Sequence, residues 1–306
     1  LNRLQEAFAT GPEAQEEEPK RFFLPITGIL AIDAEKILFD RYRLDEVSGK
    51  AVFYADRLEV ELQKAALCGI AVPAAVRYRY APGSLALEVR PAVAGGQLAE
   101  TGACLFGEGH RADGRFSLHG TVAGEGKPET IVSTLQGGLN FSSQEGQIRE
   151  SIGFNVLRRV LALVNVTEVF AGSMPDFSQS GFRYNSIKSR ADIEAGTLHI
   201  REMVVDGKNL TLTAQGSVDL VDRALDLTVL VAPLKTVDRI VGKIPLVSDI
   251  LQGTLVSIPV RVRGTLDQPQ TSYMSPNEVG KGLIGITERT LKLPFKLIRP
   301  DSPGSP

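Results

Sequence analysis

Tryptophan is absent from this chain, and only 2 Cys and 3 His occur in its 306 residues. That stock is too thin for a metal site built from several Cys and His ligands. The histidines, His110, His119 and His199, lie far apart, and His119 and His199 fall on the polar sides of strand patterns, where an imidazole is solvated. Charge of one sign is also lacking. The balance of 34 basic and 36 acidic residues leaves a net charge of −2, with no global basic field for nucleic acid. No uncharged apolar run reaches the roughly 18–20 residues of a membrane-spanning helix. The longest apolar stretch, Ile152 to Val166, carries Arg158 and Arg159 in its middle.

Catalytic signatures are missing as well. Gly124-Glu125-Gly126-Lys127 is followed by Pro128, and Thr121 stands where a phosphate loop needs its first glycine. There is no Gly-x-Ser-x-Gly elbow, no His-Glu-x-x-His and no recognisable carboxylate pair. An enzyme of this size shows one converging set of acids, bases or ligands, so an enzyme is the least favoured class and no cofactor is expected.

What is present is a folded chain, 43% hydrophobic and 23% charged, with 30 Gly and 17 Pro to make turns. Its main signal is a period of two. Leu58, Val60 and Leu62 alternate with Glu59, Glu61 and Gln63. Val76, Tyr78 and Tyr80 alternate with Arg77 and Arg79; Leu85, Leu87 and Val89 with Ala86, Glu88 and Arg90. The pattern returns at Leu198 and Ile200, at Leu210 and Leu212, at Leu225, Leu227, Val229 and Val231 (Leu230 is an exception), and at Ile258, Val260 and Val262. Each segment reads as a strand with one apolar and one wet face. Ala81-Pro82-Gly83 and Ala112-Asp113-Gly114 read as turns. About a dozen strands with short connections predict a mainly antiparallel meander. The apolar rows fit either an open, lined groove or the closed core of a sandwich or barrel.

Three segments depart from the strand pattern. Gly11 to Lys20 is an acidic linker, with residues 1–8 as a helix end before it. Ile152 to Asn165 has period 3.6, with Ile152, Val156, Val160, Leu161 and Val164 opposite Asn155, Arg158, Arg159, Ala162 and Asn165. It predicts an amphipathic helix that covers a sheet face or closes an end. Leu234 to Leu251 reads as two short helices. From Lys281 to Arg299, Lys281, Arg289, Lys292, Lys296 and Arg299 stand against Glu288, a charge of 5 − 1 = +4, interleaved with apolar residues. Such a tail either lies on an anionic membrane surface or packs over the end of the sheet, and Pro294 divides it. Cys68 and Cys104 are either a disulfide or two separate buried thiols.

A set of glycine-and-turn motifs runs in order from Thr130 to about Ser275. Leu135-Gln136-Gly137-Gly138-Leu139 is followed by Glu145-Gly146-Gln147-Ile148. Gly181-Phe182-Arg183-Tyr184 is followed by Glu194-Ala195-Gly196-Thr197-Leu198, then by Leu210 to Leu220 with Gly216-Ser217-Val218-Asp219-Leu220. Lys243-Ile244-Pro245-Leu246 precedes Ile258-Pro259-Val260-Arg261-Val262-Arg263-Gly264-Thr265-Leu266-Asp267-Gln268-Pro269. In this order the motifs resemble the C-terminal part of the AsmA-like family, its TamB and YhdP groups included. Residues 20–130 resemble the variable strand repeats of the same proteins by pattern alone.

The resemblance implies a long curved antiparallel β-sheet, an open groove with an inserted amphipathic helix and C-terminal helices. It implies a periplasmic setting, tethered to the inner membrane by an N-terminal part absent from this chain, which opens on Leu1. It implies phospholipid moved between inner and outer membranes, acyl chains shielded in the groove and head groups at the open seam. The expected lining is Leu58, Val60, Leu62, Leu85, Leu87, Val89, Leu198, Ile200, Leu210, Leu212, Leu225, Leu227, Val229, Val231, Ile258, Val260 and Val262. A periplasmic setting favours the Cys68–Cys104 disulfide. The expected organisation is a helix end and linker (1–20), a β-groove repeat region (21–148), the helix and its connection (149–172), a C-terminal β domain (173–275) and the basic tail (276–306). The expected partners are phospholipid and a membrane surface. The competing expectation is a structural or assembly factor for outer-membrane proteins or an envelope complex, which accepts a partner strand at a sheet edge.

Overall fold

The computed structural model describes residues 26–39, 42–107, 109–150, 153–165, 181–208, 210–233, 257–274 and 278. The period-two segments form the strands β1 (Gly28–Phe39), β2 (Tyr42–Phe53), β3 (Arg57–Leu67), β4 (Ile70–Ala71), β5 (Ala74–Arg79), β6 (Ser84–Val89) and β7 (Ala92–Gln97). After a helix, α1 (Leu98–Phe106), come β8 (Arg111–Gly126) and β9 (Gln136–Glu150), then α2 (Phe154–Asn165). The chain continues with β10 (Phe182–Glu194), β11 (Thr197–Gly207), β12 (Leu210–Asp219), β13 (Ala224–Pro233), β14 (Ile258–Thr265) and β15 (Pro269–Tyr273). They build one 15-stranded sheet in which every pairing is antiparallel. The sheet is mainly a meander, because each tight turn returns the chain beside the strand it has just left.

The meander forks between β3 and β8. The first half of β3 pairs with β5, which pairs with β6, which pairs with the end of β8. The end of β3 pairs with the short β4, which reaches β8 through β7. Helix α1 follows β7 in this second lane and packs on β8. Two links hold it beside the β3–β4 turn: Thr101 Oγ1 donates to the Cys68 carbonyl at 2.9 Å, and Cys68 and Cys104 are disulfide-bonded. Gly102 lies flat against the His110 imidazole, where a Cβ would overlap the ring. His110 Nδ1 is buried without a hydrogen-bond partner, and that burial pushes its pKa below the ordinary value. His110 is therefore not a solvated surface histidine.

Ala112-Asp113-Gly114 does not turn the chain. It lies inside β8 as a bulge, with a register shift between Asp113 and Arg115 and Gly114 at φ 134°. The bulge is held from the neighbouring strands. The Tyr184 hydroxyl donates to the Asp113 carbonyl at 2.8 Å and shares a 2.7 Å bond with Ser143.

The second half of the sheet curls. Flat, β9 and β15 would stand six strand spacings, about 29 Å, apart. Instead α2, a single 12-residue helix, packs against β9 on one side and β14 and β15 on the other. Tyr273 of β15 donates to the Leu163 carbonyl at 2.7 Å. The inner face of α2, Val160, Leu161 and Val164, joins Phe182, Tyr184 and Ile187 of β10 and the inward rows of β11–β14 in one core cluster. From Leu227 to Val231, β13 is buried on both faces. Leu230, the exception in its alternation, is 4% exposed and stands in register between Thr213 and Pro259.

Candidate functional site

Register, more than spacing, builds the candidate site. Directly opposed residues share a face of a sheet. Leu30 is opposite Ala51, Ala51 opposite Val60, Val60 opposite Val76, and Val76 opposite Leu87. The next row runs Phe53, Leu58, Tyr78, Leu85. On the same face past β8, Gly120 is opposite Leu139, then Ala191, Ile200, Gly216, Leu227 and Val262 follow in register. One apolar face thus crosses the sheet from β1 to β14.

That face is not uniform. Leu58, Val60 and Leu62 of β3 and Leu85, Leu87 and Val89 of β6 are half-buried. Ile200, Leu210, Leu212, Leu225, Leu227, Val229, Val231, Ile258, Val260 and Val262 are buried in the cluster that includes α2, with Leu198 packed against it. Over β9–β15 the expected lining is therefore a closed core, and among the described residues an open face is left only on the earlier strands. The physical reason is α2, which fills the curl of the later strands. Phe53, Val76 and Tyr78 belong to the open part, with Ala51 buried beside Val60, and register is the signal that finds them.

The opposite face carries the charge. Lys50 pairs with Glu61 at 2.9 Å, Arg77 with Glu59 at 3.0 Å and Arg201 with Asp192 at 2.6 Å. The hydrogen bond to Glu61 raises the pKa of Lys50. Arg57 and Arg77 together hold the Glu59 carboxyl below its ordinary value. A depression of about 510 Å³ lies on this side. Lys50, Glu61, Ala75, Glu88, Ala123 and Gln136 form one cross-strand row through it. The small Ala75 and Ala123 lower its floor between ion-paired walls, an arrangement that no spacing along the chain announces.

Among the described residues no three His, Cys, Asp or Glu side chains are placed to hold a metal ion. Among them, too, no helix is long and apolar enough to cross a membrane. The acidic linker, the two short helices expected at 234–251 and the basic residues Lys281, Arg289, Lys292, Lys296 and Arg299 lie outside the described residues.

A family described as YhdP protein matches residues 104–271, more than half of the chain. Intermembrane phospholipid transporter YhdP of Escherichia coli (strain K12) is 30% identical over 155 residues, covering 45% of this chain and 12% of that protein. The chain therefore aligns with a small part of that relative's length. No solved structure matches.

Proposed function

The chain belongs to the YhdP protein family, and from that premise we propose that it is a periplasmic segment of a phospholipid conduit between inner and outer membranes. The observation that carries this reading is the half-buried apolar face of β3, β5 and β6, continuous in register through Val60, Val76 and Leu87. Acyl chains laid across these strands would be drawn from water at about 25 cal/mol per Å² of apolar surface. The lining is aliphatic and repetitive, so no deep trap stops a chain from sliding. The charged rows on the other face keep the sheet in water. No catalytic group is needed. The basic tail, with Lys281, Arg289, Lys292, Lys296 and Arg299, would rest on an anionic membrane surface at the end of the route.

A photoactivatable amino acid at Leu87 should crosslink phospholipid from isolated membranes, and one at Glu88, on the opposite face, should not. Equal labelling at both positions would sink the proposal. A second reading is favoured by one observation. Strand β1 pairs only with β2 among the described residues, and its Ile29 and Leu38 are 77% and 72% exposed. An edge of this kind accepts a strand from a partner, and a stoichiometric protein complex free of lipid would mark this chain as an envelope assembly factor instead.

A further inference from the structure

The open apolar face has two unlike ends. Its outermost row, Phe53, Leu58, Tyr78 and Leu85, stands in register at the β2–β3 and β5–β6 turns. Four residues inward on β3, β5 and β6, the row of Leu62, Ala74 and Val89 is still half-buried. Beyond it the face closes. Val47, two residues past Gly49 on the same side of β2, is 1% exposed. Ala65 of β3 and Ile70 of β4 are buried as well, where the Cys68–Cys104 disulfide ties α1 down. At β8 the rows run under a short 3-10 helix (Pro128–Thr134) and Leu135: a Cβ on Gly124 would meet Leu135 and Thr134, and one on Gly126 would meet Thr134. The turn end is left open.

That open end carries tyrosine. Tyr80 keeps to the same side as Tyr78: its amide donates to the Asp56 carbonyl at 3.1 Å, one pair beyond the β3–β5 ladder, and the two rings meet edge to face with centroids 6.1 Å apart. The Tyr78 hydroxyl reaches the β5–β6 turn, 3.8 Å from where a Cβ on Gly83 would stand. Neither hydroxyl has a hydrogen-bond partner among the described residues; that of Tyr80 is sealed off, and that of Tyr78 is free to meet a ligand. A tyrosine joins an apolar ring to a polar tip, which suits a boundary between an apolar surface and water. Charge does not mark this end. From β1 to β8 its described charges are Arg57, Arg79 and Lys127 against Asp56, Glu125 and Glu129, 3 − 3 = 0. Arg57 pairs with Asp56 at 3.0 Å and with Glu59 at 2.9 Å, and Arg79 with Glu125 at 3.4 Å.

We propose that the Tyr78 hydroxyl donates a hydrogen bond to an ester carbonyl of a diacyl phospholipid whose tails run inward over Val76 and Ala74. The proposal rests on the lipid reading above and adds the group that is recognised and the direction in which the lipid points. Tyr78 and Ala74 lie about 13 Å apart along β5, and an acyl tail spans half of a hydrocarbon core of about 30 Å. A tail that ends against the closed part therefore brings its first polar atoms, the ester oxygens, level with Tyr78. The ester is common to diacyl phospholipids, and the balanced charges beside it give no preference for an anionic head group. Lipid that moves from strand to strand keeps its esters at the turns and its tails inward.

The test is calorimetric titration of the full chain with three soluble lipids: dioctanoylphosphatidylcholine, dioctanoylphosphatidylglycerol and the di-O-octyl ether analogue of the first, which lacks the carbonyls. The two esters should bind within about twofold of each other, because exposed, paired charges discriminate little. One hydrogen bond between neutral groups is worth about fivefold in Kd. The ether should therefore bind about fivefold more weakly than its ester. Tyr78→Phe should bind the ester as weakly as the wild type binds the ether, and should bind the ether unchanged. Tyr80→Phe removes a sealed hydroxyl that has no partner, so it should neither lower the melting temperature nor weaken binding of any of the three. If Tyr78→Phe binds the ester at full strength, or loses ester and ether equally, the ester contact is wrong and the apolar face still stands. Phosphatidylglycerol binding tenfold or more tightly than phosphatidylcholine would show that head-group charge is read, and would overturn the proposal. Failure of all three lipids to bind the wild type would remove the lipid reading, and this proposal with it.

Discussion

Two valines in the same apolar face provide a stringent test of an open groove. Val60 lies in β3 between Ala51 and Val76 and is half-buried. Val260 lies in β14 between Val229 and Tyr273 and is 0% exposed. Both are β-branched residues in strand interiors, so intrinsic strand preference cancels when each is changed to Asp. The difference is the surroundings. At Val260 the new carboxylate would be sealed among Val229, Val231 and Val262, without a partner, at a cost of about 4 kcal/mol or more. That is a large part of the roughly 5–15 kcal/mol that holds a domain folded. At Val60 the carboxylate can reach water. The loss there is part of the apolar burial of one valine, about 1–2 kcal/mol, plus up to about 1 kcal/mol of strand preference. Urea denaturation followed by circular dichroism separates the two, provided m is unchanged. Val60→Asp should lower the midpoint modestly and leave a folded protein from which co-purifying phospholipid is lost. Val260→Asp should unfold the later strands. If Val60→Asp is as damaging as Val260→Asp, the face over β2–β6 is a closed core and the lipid proposal is refuted.

Two further outcomes follow from the fork. The disulfide closes a loop with a sequence separation of 36, for which chain entropy assigns about 4 kcal/mol. Reduction with dithiothreitol should lower the unfolding free energy by that amount, moving the urea midpoint down by that energy divided by m, and release α1 to exchange its amide hydrogens; an unmoved midpoint would show that Thr101 and the packing of α1 hold it alone. His110 provides a pH signature. Its folded pKa lies below the ordinary 6.5 because of burial, so below that pH the unfolded state binds more protons than the folded one. Stability should fall as pH drops through about 6.5 and go on falling until the folded pKa is reached. The wild type should lose more melting temperature than His110→Gln between about pH 7.5 and pH 5.5, and equal losses would place His110 in water.

How much of this was legible beforehand depends on the kind of feature. The rows of β3, β5, β6 and β11–β14 were legible because each strand writes its own period of two, as at Leu58-Glu59-Val60-Glu61-Leu62. The amphipathic helix was legible for the same reason at period 3.6. Turn chemistry misled at Ala112-Asp113-Gly114, because a glycine at positive φ serves a bulge as well as a turn, and only Tyr184, 71 residues away, decides between them. Helix α1 left little trace: it is nine residues long, has Gly102 inside it and no side-chain cap. The fork was illegible because it depends on which strands the two halves of β3 meet. For Cys68 and Cys104 spacing was silent, since a separation alone does not bring two sulfurs together.

Whether an apolar row is a lining or a core depends on what stands above it and behind it. In β3 the residues behind are Glu59 and Glu61, both engaged in ion pairs at the surface, so this strand has one dry face to offer. In β13 and β14 the residues behind include Leu230 and Pro259, themselves buried, and Thr228, 7% exposed. A strand dry on both faces has to be enclosed, and the near-continuous run Leu225-Asp226-Leu227-Thr228-Val229-Leu230-Val231 already states this in sequence. The same alternation therefore serves two ends within one sheet. The early strands spend stability on an apolar face left partly open. The later strands, closed around α2, supply the core that lets the sheet keep it open. On this logic a small-to-large change such as Ala214→Leu, in the packed inner row of β12, should cost about 1–3 kcal/mol, whereas Ala74→Leu, half-buried on the open face in register between Leu62 and Val89, should cost less. A comparable penalty at both positions, read from urea midpoints, would contradict the division of the sheet into an open and a closed part.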